Sequence, residues 1–215
     1  MTRQARSTVT RHKIITSAVE LFAERGYPAT ALGDIVERAG MTKGALYYHF
    51  DSKEALAAEI VAEGGGRLGR TFDAISDANP PALEGIIHGT FLVVEQVRTD
   101  ELARVGTVLL RMFAGFSDTA SRIYSGWLDS MTEDVRRARD EGDLRADVDV
   151  AAVAETFVGA VVGGAVLADA TSAGADLRDR VNRMFGLVLP AIVAPESRDY
   201  FAEFLAREAK RRQIR

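Results

Sequence analysis

Apolar residues recur along this chain at the spacing of helices rather than strands. The clearest short stripe consists of Leu32, Ile35, Val36 and Ala39, at positions i, i+3, i+4 and i+7. That spacing places all four on one face of an amphipathic helix. Similar stripes follow throughout the chain, and no segment shows the convincing apolar–polar alternation of a half-buried strand. The pattern therefore predicts an all-α fold.

A second short helix is predicted directly after the first. Gly40 can adopt the left-handed conformation that ends a helix, and Thr42 suits the N-cap of the next one. In that next helix Leu46 and Phe50 lie four residues apart and are expected to point inward. Two short helices joined by a Gly-containing turn are the layout of a helix-turn-helix, whose second helix enters the DNA major groove. The alternative is a surface helical hairpin whose aromatic residues pack on a neighbour.

Several side chains of this segment have the chemistry of DNA contacts. Lys43 can bind a phosphate or a guanine edge, and Thr42 can donate to either. Gly44 would allow close approach of the backbone, while tyrosine hydroxyls suit phosphate contacts that fix the register. Lys53 is placed to reach a phosphate near the start of the helix that follows. The predicted DNA-binding residues are Thr30, Thr42, Lys43, Gly44, Ala45, Tyr47, Tyr48, His49 and Lys53.

The charge distribution indicates that the N-terminal segment binds a negatively charged partner. Arg3, Arg6, Arg11 and Lys13 precede the first acidic residue, Glu20, and a basic arm is what a phosphate-binding domain needs. The arm could equally be a solvated, frayed terminus when DNA is absent. The net charge of −4 does not oppose this, because residues 1–60 carry 8 Lys and Arg against 7 Asp and Glu, whereas the remainder carries 19 against 24.

Residues 9–60 resemble the N-terminal domain of the TetR family of bacterial transcriptional regulators. The segments that carry the resemblance are Ile14–Tyr27, Asp34–Gly40 and Lys43–Glu54. One departure is Ala31, where many members of the family have a second Thr after Thr30, so one hydroxyl contact is lost. Thr30 itself remains available as a helix cap or as a donor to phosphate.

Composition narrows the class further. The 215 residues fit one or two domains with a sizeable core. The sequence has no cysteine, which rules out disulfides, cysteine-based metal sites and thiol nucleophiles. No uncharged apolar run approaches the roughly 18–20 residues of a membrane span, and the N-terminus lacks the apolar core of a signal peptide. We therefore expect a cytoplasmic protein without cofactor, metal or membrane partner.

Further helical stripes occupy residues 56–135. A long fourth helix is interrupted by three glycines, Gly64, Gly65 and Gly66. They could form a kink, a site of close packing or a hinge. A fifth helix begins after Pro80 and Pro81. Apolar and aromatic residues of the following helices are expected to surround one cavity, although such residues more often belong to plain core. The candidate ligand-binding residues are Phe91, Leu109, Met112, Trp127, Met131, Phe157 and Val161.

Residues 149–170 predict a helix rich in Ala and Gly, in which Glu155 and Asp169 bracket too short an apolar run for a membrane span. Small residues let helices approach closely, so this helix and the next, residues 181–192, are expected to form a dimerising four-helix bundle. The alternative is a helix pair buried within one subunit. A final helix is predicted over residues 198–212, and its basic end suits a helix C-terminus.

The C-terminal part shows a narrower resemblance, to the γ-butyrolactone receptor branch of the family, found in Streptomyces and its relatives. It rests on the single Trp127, on the turn from Gly142 to Arg145 and on the segment from Leu189 to Glu196. The resemblance implies a repressor of antibiotic-production genes that leaves DNA when a small lactone, butenolide or furan binds. Members called pseudo-receptors respond to antibiotics instead.

The sequence thus predicts a homodimeric repressor with two domains: a three-helix helix-turn-helix domain with its basic arm, residues 1–55, and a helical domain for ligand binding and dimerisation, residues 56–215. Ligand would shift the population toward a dimer whose recognition helices are wrongly spaced for a palindromic operator. Two other classes stay open. One is an all-α enzyme, although His12, His49 and His88 lie in no recognisable catalytic or metal-binding pattern. The other is a DNA-binding protein with a filled core that senses nothing.

Overall fold

The computed structural model of the chain describes residues 3–115 and 117–211, whose backbone confirms the all-α fold. Over these residues one isolated antiparallel bridge, between Leu144 and Val193, is the sole β-type pairing. A short 3₁₀ turn, Pro195–Ser197, precedes the last helix. The α-helices are α1 (Arg3–Arg25), α2 (Leu32–Arg38), α3 (Lys43–His49), α4 (Lys53–Asp77), α5 (Ala82–Thr99), α6 (Glu101–Phe113), α7 (Asp118–Asp140), α8 (Val150–Ser172), α9 (Leu177–Ile192) and α10 (Arg198–Lys210).

The helices group into two compact units that differ from the predicted division of the chain. The first unit comprises Met1–Leu68 and Thr99–Ile123, and the second comprises Gly69–Arg98 and Tyr124–Arg215. The first unit therefore includes α6, which is distant in sequence from the helix-turn-helix. The functional division at residue 55 remains a prediction, because a packing unit need not coincide with a functional one.

In the first unit α6 packs against α1, and two glycines bring it close to α4 as well. A Cβ atom on Gly64 of α4 would lie 2.7 Å from the Leu102 carbonyl oxygen, and one on Gly106 of α6 would lie 2.9 Å from the Gly64 Cα. Only hydrogen fits at both positions, so the two helix backbones pack directly against each other. The predicted interruption of the fourth helix is wrong, since α4 runs unbroken through residues 64–66. Of the three alternatives, close packing describes Gly64.

The predicted basic arm also takes a different form. Residues 3–25 form the continuous helix α1 rather than an extended or frayed segment. Arg11 does not project freely, because its guanidinium pairs with Glu59 at 2.5 Å and with Glu63 at 3.3 Å, both on α4. The side chain of Arg3 lies outside the described residues.

The second unit has an extensive core of its own, formed by residues of α5, α7, α8, α9 and α10. Phe157 and Phe185 are among its largest fully buried side chains. The start of α5 is held by the turn that follows α7, since Glu141 in that turn accepts a hydrogen bond of 2.6 Å from the Ala82 amide. The last helix ends at Lys210, one residue before the turn at Arg211, and the predicted end at Arg212 lies outside the described residues.

The helix α8 is strongly apolar, yet the rest of the chain buries only a small part of it. By length and composition it could cross a membrane, with a mean hydropathy of 2.0 over an 18-residue stretch of which 22% is buried. Core helices of soluble proteins can have the same length and composition, so these two properties do not make α8 a membrane span. What the structure adds is that much of this apolar surface is left uncovered.

Candidate nucleic-acid interface and ligand core

The turn and the cap that the sequence predicts between the two short helices are both present. Gly40 has φ of +59°, the left-handed conformation that ends α2. Thr42 occupies the N-cap of α3, and its hydroxyl accepts a hydrogen bond of 3.2 Å from the Ala45 amide. Seven residues are too few for a helix to be stable alone in water, so packing and capping must hold α2 and α3 in place.

Ion pairs and a capping carboxylate fix α2 on α1. The Arg38 guanidinium donates to Glu24 at 2.8 Å and to Glu20 at 3.2 Å, which joins the end of α2 to α1. Hydrogen bonding to Arg38 also lowers the pKa of the Glu24 carboxyl. At the other end of α2, Asp34 accepts a hydrogen bond of 2.9 Å from the Ala31 amide. The helix that precedes α3 is therefore anchored at both ends.

The inward and outward faces of α3 are those predicted. Leu46 and Phe50 are buried, while Tyr48 is 72% exposed and Tyr47 is 52% exposed. Of the other predicted contact residues, Thr42, Lys43 and Gly44 are exposed, and Ala45 and His49 are half-buried. The His49 ring lies edge-on to Tyr48, with ring centroids 5.0 Å apart. The result is a polar and aromatic surface over an apolar anchor, as a groove-binding helix requires.

Thr30 does not take the expected position on this surface. Its side chain is 1% exposed, and its hydroxyl donates to the Gly26 carbonyl at 2.9 Å. The N-cap of α2 is Ala31, so the prediction that Thr30 caps a helix is wrong. The hydroxyl bonds within the turn after α1 because main-chain carbonyl groups of that turn lie within its reach. The spacing of residues in the sequence does not reveal this contact.

Lys53 is directed partly toward the protein. Its ammonium donates to the Thr30 carbonyl at 2.7 Å and lies 4.2 Å from the centre of the Tyr27 ring. It nonetheless remains half-buried rather than enclosed. Lys53 thus joins the beginning of α4 to the residues that precede α2.

The candidate ligand residues fall into two groups. Phe91, Met131 and Phe157 belong to the core of the second unit, and Val161 packs against that core. By contrast, Leu109 and Met112 lie on α6 in the first unit, where Leu109 is buried and Met112 is 41% exposed. The expectation that α6 contributes to one apolar interior with α5 and α7 stays a prediction.

A residue outside the candidate set joins the aromatic members of the core. The Phe185 ring of α9 lies 6.2 Å from the Phe91 ring and 5.3 Å from the Phe157 ring, measured between centroids. Its spacing in the sequence placed Phe185 in the dimerising bundle. Spacing along α9 could not have revealed this role, because the contact depends on how α5, α8 and α9 come together.

Trp127 belongs neither to this core nor to the half-buried residues that pack against it. Its indole is half-buried and meets the Tyr124 ring edge-on, with centroids 5.6 Å apart. A Cβ atom on Gly69 would lie 3.6 Å from the indole nitrogen, so the absence of a side chain there leaves room beside the ring. An accessible indole face with an N–H donor can recognise a partly polar small molecule.

Comparisons with known proteins agree with this architecture. Residues 14–60 match the bacterial regulatory proteins of the tetR family, and residues 81–194 match the tetracyclin repressor-like C-terminal domain. The A-factor receptor protein of Streptomyces griseus is 30% identical over 195 residues, covering 91% of this chain and 68% of that protein.

Two solved structures are similar over nearly the whole chain. A γ-butyrolactone receptor described as ArpA-like superposes with a TM-score of 0.78 at 28% identity, covering 96% of this chain and 99% of that one. The CprB protein of Streptomyces coelicolor, solved with its biological operator sequence, superposes with a TM-score of 0.77 at 29% identity, covering 98% and 100%.

These observations define the class as a helix-turn-helix regulator with a separate helical ligand-binding domain. The chain belongs to the tetR family of bacterial regulatory proteins. It is a ligand-responsive repressor of transcription, a protein that binds operator DNA and a small molecule and forms homodimers.

Proposed function

We propose that this repressor leaves its operator when it binds a small signalling lactone, butenolide or furan, and that it controls antibiotic-production genes. The observation that carries the proposal is the similarity over almost the whole chain to proteins described as A-factor and γ-butyrolactone receptors. A further similar structure, at 31% identity and a TM-score of 0.74, is described as the molecular basis for control of antibiotic production by bacterial hormones.

The chemistry of the second unit is compatible with such a ligand. A γ-butyrolactone with an alkyl chain needs an apolar lining for the chain and a few donors for its ring oxygens. Phe91, Met131, Phe157 and Val161 supply apolar surface, and the Trp127 indole supplies a donor beside a flat face. Leu109 and Met112 of α6 remain candidate ligand contacts of the same proposal.

The experiment that tests the ligand class is release of operator DNA, measured by fluorescence anisotropy. The probe is a duplex selected by the protein itself from a random DNA pool, and the ligand is a synthetic 2-alkyl-3-hydroxymethyl-γ-butyrolactone. Its ring-opened hydroxy acid, with the same carbon skeleton but a carboxylate, is the matched control. Release by the lactone alone supports the proposal, whereas release only by antibiotics would assign the protein to the pseudo-receptors. Failure of every compound would favour a DNA-binding protein that senses nothing.

We assign operator contact to α3 and the residues around it. Lys43, Tyr47 and Tyr48 form the most exposed part of the predicted surface, and Thr42, Gly44, Ala45, His49 and Lys53 complete it. Thr30 is left out of this assignment, because its buried hydroxyl donates to the Gly26 carbonyl. Because a two-fold dimer presents two such helices, the operator is expected to be palindromic, with half-sites about one helical turn or a multiple apart.

We propose that the dimer forms through α8 and α9. The exposed side of α8 is a stripe of small and apolar residues, and α9 beside it exposes Leu187 to 79%. An apolar surface of this kind is costly in water unless a partner covers it. The stripe consists of Ala152, Thr156, Gly159, Gly163, Val166, Leu167 and Ala170 on α8, followed by Leu187, Pro190 and Ala191 on α9.

Two glycines of α8 support a second copy as the partner. A Cβ atom on Gly159 or on Gly163 would meet nothing within 4 Å in this chain. Glycine inside a helix costs about 1 kcal/mol relative to Ala, and no contact within the subunit explains that cost here. Close approach of α8 from a second subunit would explain it. The location of such a soluble dimer would be the cytoplasm, where its DNA is.

The rival class of enzyme gains no support from the similar proteins, since the A-factor receptor, the γ-butyrolactone receptor and CprB are each described as a receptor or a TetR family protein. Among the described residues, no group of three or more His, Cys, Asp or Glu could hold a metal ion. Turnover assays with lactones would test this class directly, because an enzyme would consume the compound whereas a receptor returns it unchanged.

A further inference from the structure

Tyr27, in the turn after α1, connects three parts of the first unit. Its ring meets the Phe22 ring of α1 and the Phe113 ring of α6 edge-on, each with centroids 5.3 Å apart. Its hydroxyl donates to Glu54 of α4 at 3.3 Å. Burial, together with the neighbouring Glu54 carboxylate, raises the pKa of the Tyr27 phenol. The ring is therefore fixed on several sides at once.

The face of the same ring positions Lys53. The Lys53 ammonium lies 4.2 Å from the centre of the Tyr27 ring and donates to the Thr30 carbonyl at 2.7 Å. An ammonium group has three N–H donors. The Thr30 carbonyl accepts from one of them, while the ring attracts the positive charge as a whole, so donors remain for a phosphate oxygen. The ring and the carbonyl together determine where those donors point.

Phe113 acts on this arrangement from a distant part of the sequence. It is the last residue of α6 and lies far outside residues 14–60, which match the tetR-family DNA-binding segment. The helix that carries it is held firmly in the first unit. Its start is tied to α4 by the Arg67–Asp100 ion pair at 2.7 Å, and its middle by the contact of Gly106 with Gly64. The end of α6 therefore presents Phe113 to Tyr27 in a defined position.

We propose that Phe113 is a positioning residue for operator binding, which acts through the Tyr27 ring to hold the Lys53 ammonium where it can contact a DNA phosphate. The inference rests on the proposed assignment of Lys53 to the DNA interface. Phe113 itself touches no DNA. Its contribution is to limit the tilt of the Tyr27 ring, and thereby the positions open to the ammonium.

The test is a double-mutant cycle on operator affinity, with the duplex selected by the wild-type protein as the probe. Lys53→Met should weaken binding and reduce by about one the slope of log affinity against log salt, because one phosphate contact is lost. Phe113→Leu keeps most of the apolar volume but removes the ring contact, and should weaken binding about two- to tenfold, the range of an aromatic pair. In the Lys53→Met protein, Phe113→Leu should have almost no further effect.

Other outcomes of the cycle would overturn the proposal. Additive losses would mean that Phe113 acts by general stability and not through Lys53. Unchanged affinity of Phe113→Leu would remove its positioning role, and an unchanged salt slope in Lys53→Met would remove the assignment of Lys53 on which the inference rests.

Tyr27→Leu removes the same ring contact from the Tyr27 side, and it should weaken operator binding and show the same dependence on Lys53. It therefore tests the proposal even if Phe113→Leu folds poorly. Phe204→Leu is the matched control, since it removes an aromatic ring of α10 in the second unit. It should leave both affinity and salt slope as in the wild type, and thermal melts of all variants would show that each is folded.

Discussion

The surface around α3 and the surface along α8 and α9 are both exposed, yet they differ in polarity, in charge and in the size of their side chains. The first presents Lys43, Tyr47 and Tyr48 on short helices that are anchored by ion pairs and caps. The second presents small and apolar residues along a single 23-residue helix, which begins at the capping carboxylate of Asp149. A polyanion is bound through fixed cationic and hydroxyl donors, whereas another copy of an apolar face is bound by close packing. The comparison indicates two different partners, DNA for the first surface and a second subunit for the other.

The largest effect is expected from blocking the second surface. Gly163→Leu places a bulky side chain into open space in the single chain but into the proposed α8 contact of the dimer. We expect a folded monomer by analytical ultracentrifugation, and a loss of operator affinity of about 100-fold or more because binding at two half-sites is lost. Gly126→Leu on α7 is the matched control, since a Cβ atom there also meets nothing within 4 Å. A Gly163→Leu protein that remains a dimer would place the interface elsewhere.

A smaller effect is expected from the first surface. Lys43→Ala should cost about 1–3 kcal/mol of operator binding if Lys43 reads a guanine edge, while the dimer stays intact. If Lys43 contacts phosphate instead, the loss should be similar for every DNA sequence and the salt slope should fall by about one. Tyr48→Phe, which removes a hydroxyl alone, should lose less. Full affinity in both variants would exclude α3 as the recognition helix.

Trp127 tests whether the second unit senses a ligand. Its fluorescence should change when the cognate ligand binds, because an indole responds to displaced water and to new contacts. Trp127→Ala should lose most of the ligand response and keep operator affinity. Because the indole is half-buried, the variant should lose less stability than the roughly 3–5 kcal/mol of a fully buried aromatic residue. A folded Trp127→Ala protein that releases DNA at the wild-type ligand concentration would eliminate Trp127 as a principal contact.

The smallest effect concerns Asp134 of α7, a buried carboxylate that accepts a hydrogen bond of 2.7 Å from Ser76. Burial raises the pKa of this carboxyl above its usual 3.8, against the opposing influence of Ser76 and Arg137. A raised folded-state pKa means that ionised Asp134 opposes folding, so this penalty appears as pH rises from 3.8 through the raised value. Asp134→Asn should therefore increase the melting temperature at pH 7, and the difference should vanish below pH 3.8. A lower melting temperature at pH 7 would contradict this reasoning.

The comparison of the two surfaces also explains which predictions succeeded. The turn at Gly40, the cap at Thr42 and the burial of Leu46 and Phe50 depend on neighbouring residues, and the sequence predicted all of them. Thr30 was predicted incorrectly because its hydroxyl partner, the Gly26 carbonyl, becomes available only when the turn after α1 closes. Arg11 was assigned to a free basic arm for a similar reason, since its partners Glu59 and Glu63 lie some 50 residues away.

For α6, periodicity predicted the helix but not the helices that it packs against. Its apolar stripe was visible, but the stripe does not say which helices it faces. Met112 was expected to face a cavity, and it is 41% exposed. The place of α6 depends on its packing against α1 and on the meeting of Gly64 with Gly106, two residues that lack a side chain.

The sequence by itself determined the helical fold, the helix-turn-helix with its polar recognition surface and the membership of the tetR family, because each depends on periodicity, capping or a local motif. Tertiary structure alone decided that α6 belongs with the DNA-binding helices, that Phe185 joins Phe91 to Phe157, and that Phe113 and Lys53 meet the same tyrosine ring. These contacts join residues far apart in the chain. Which of them form depends on the close packing of whole helices, and spacing along a single helix carries no record of that packing.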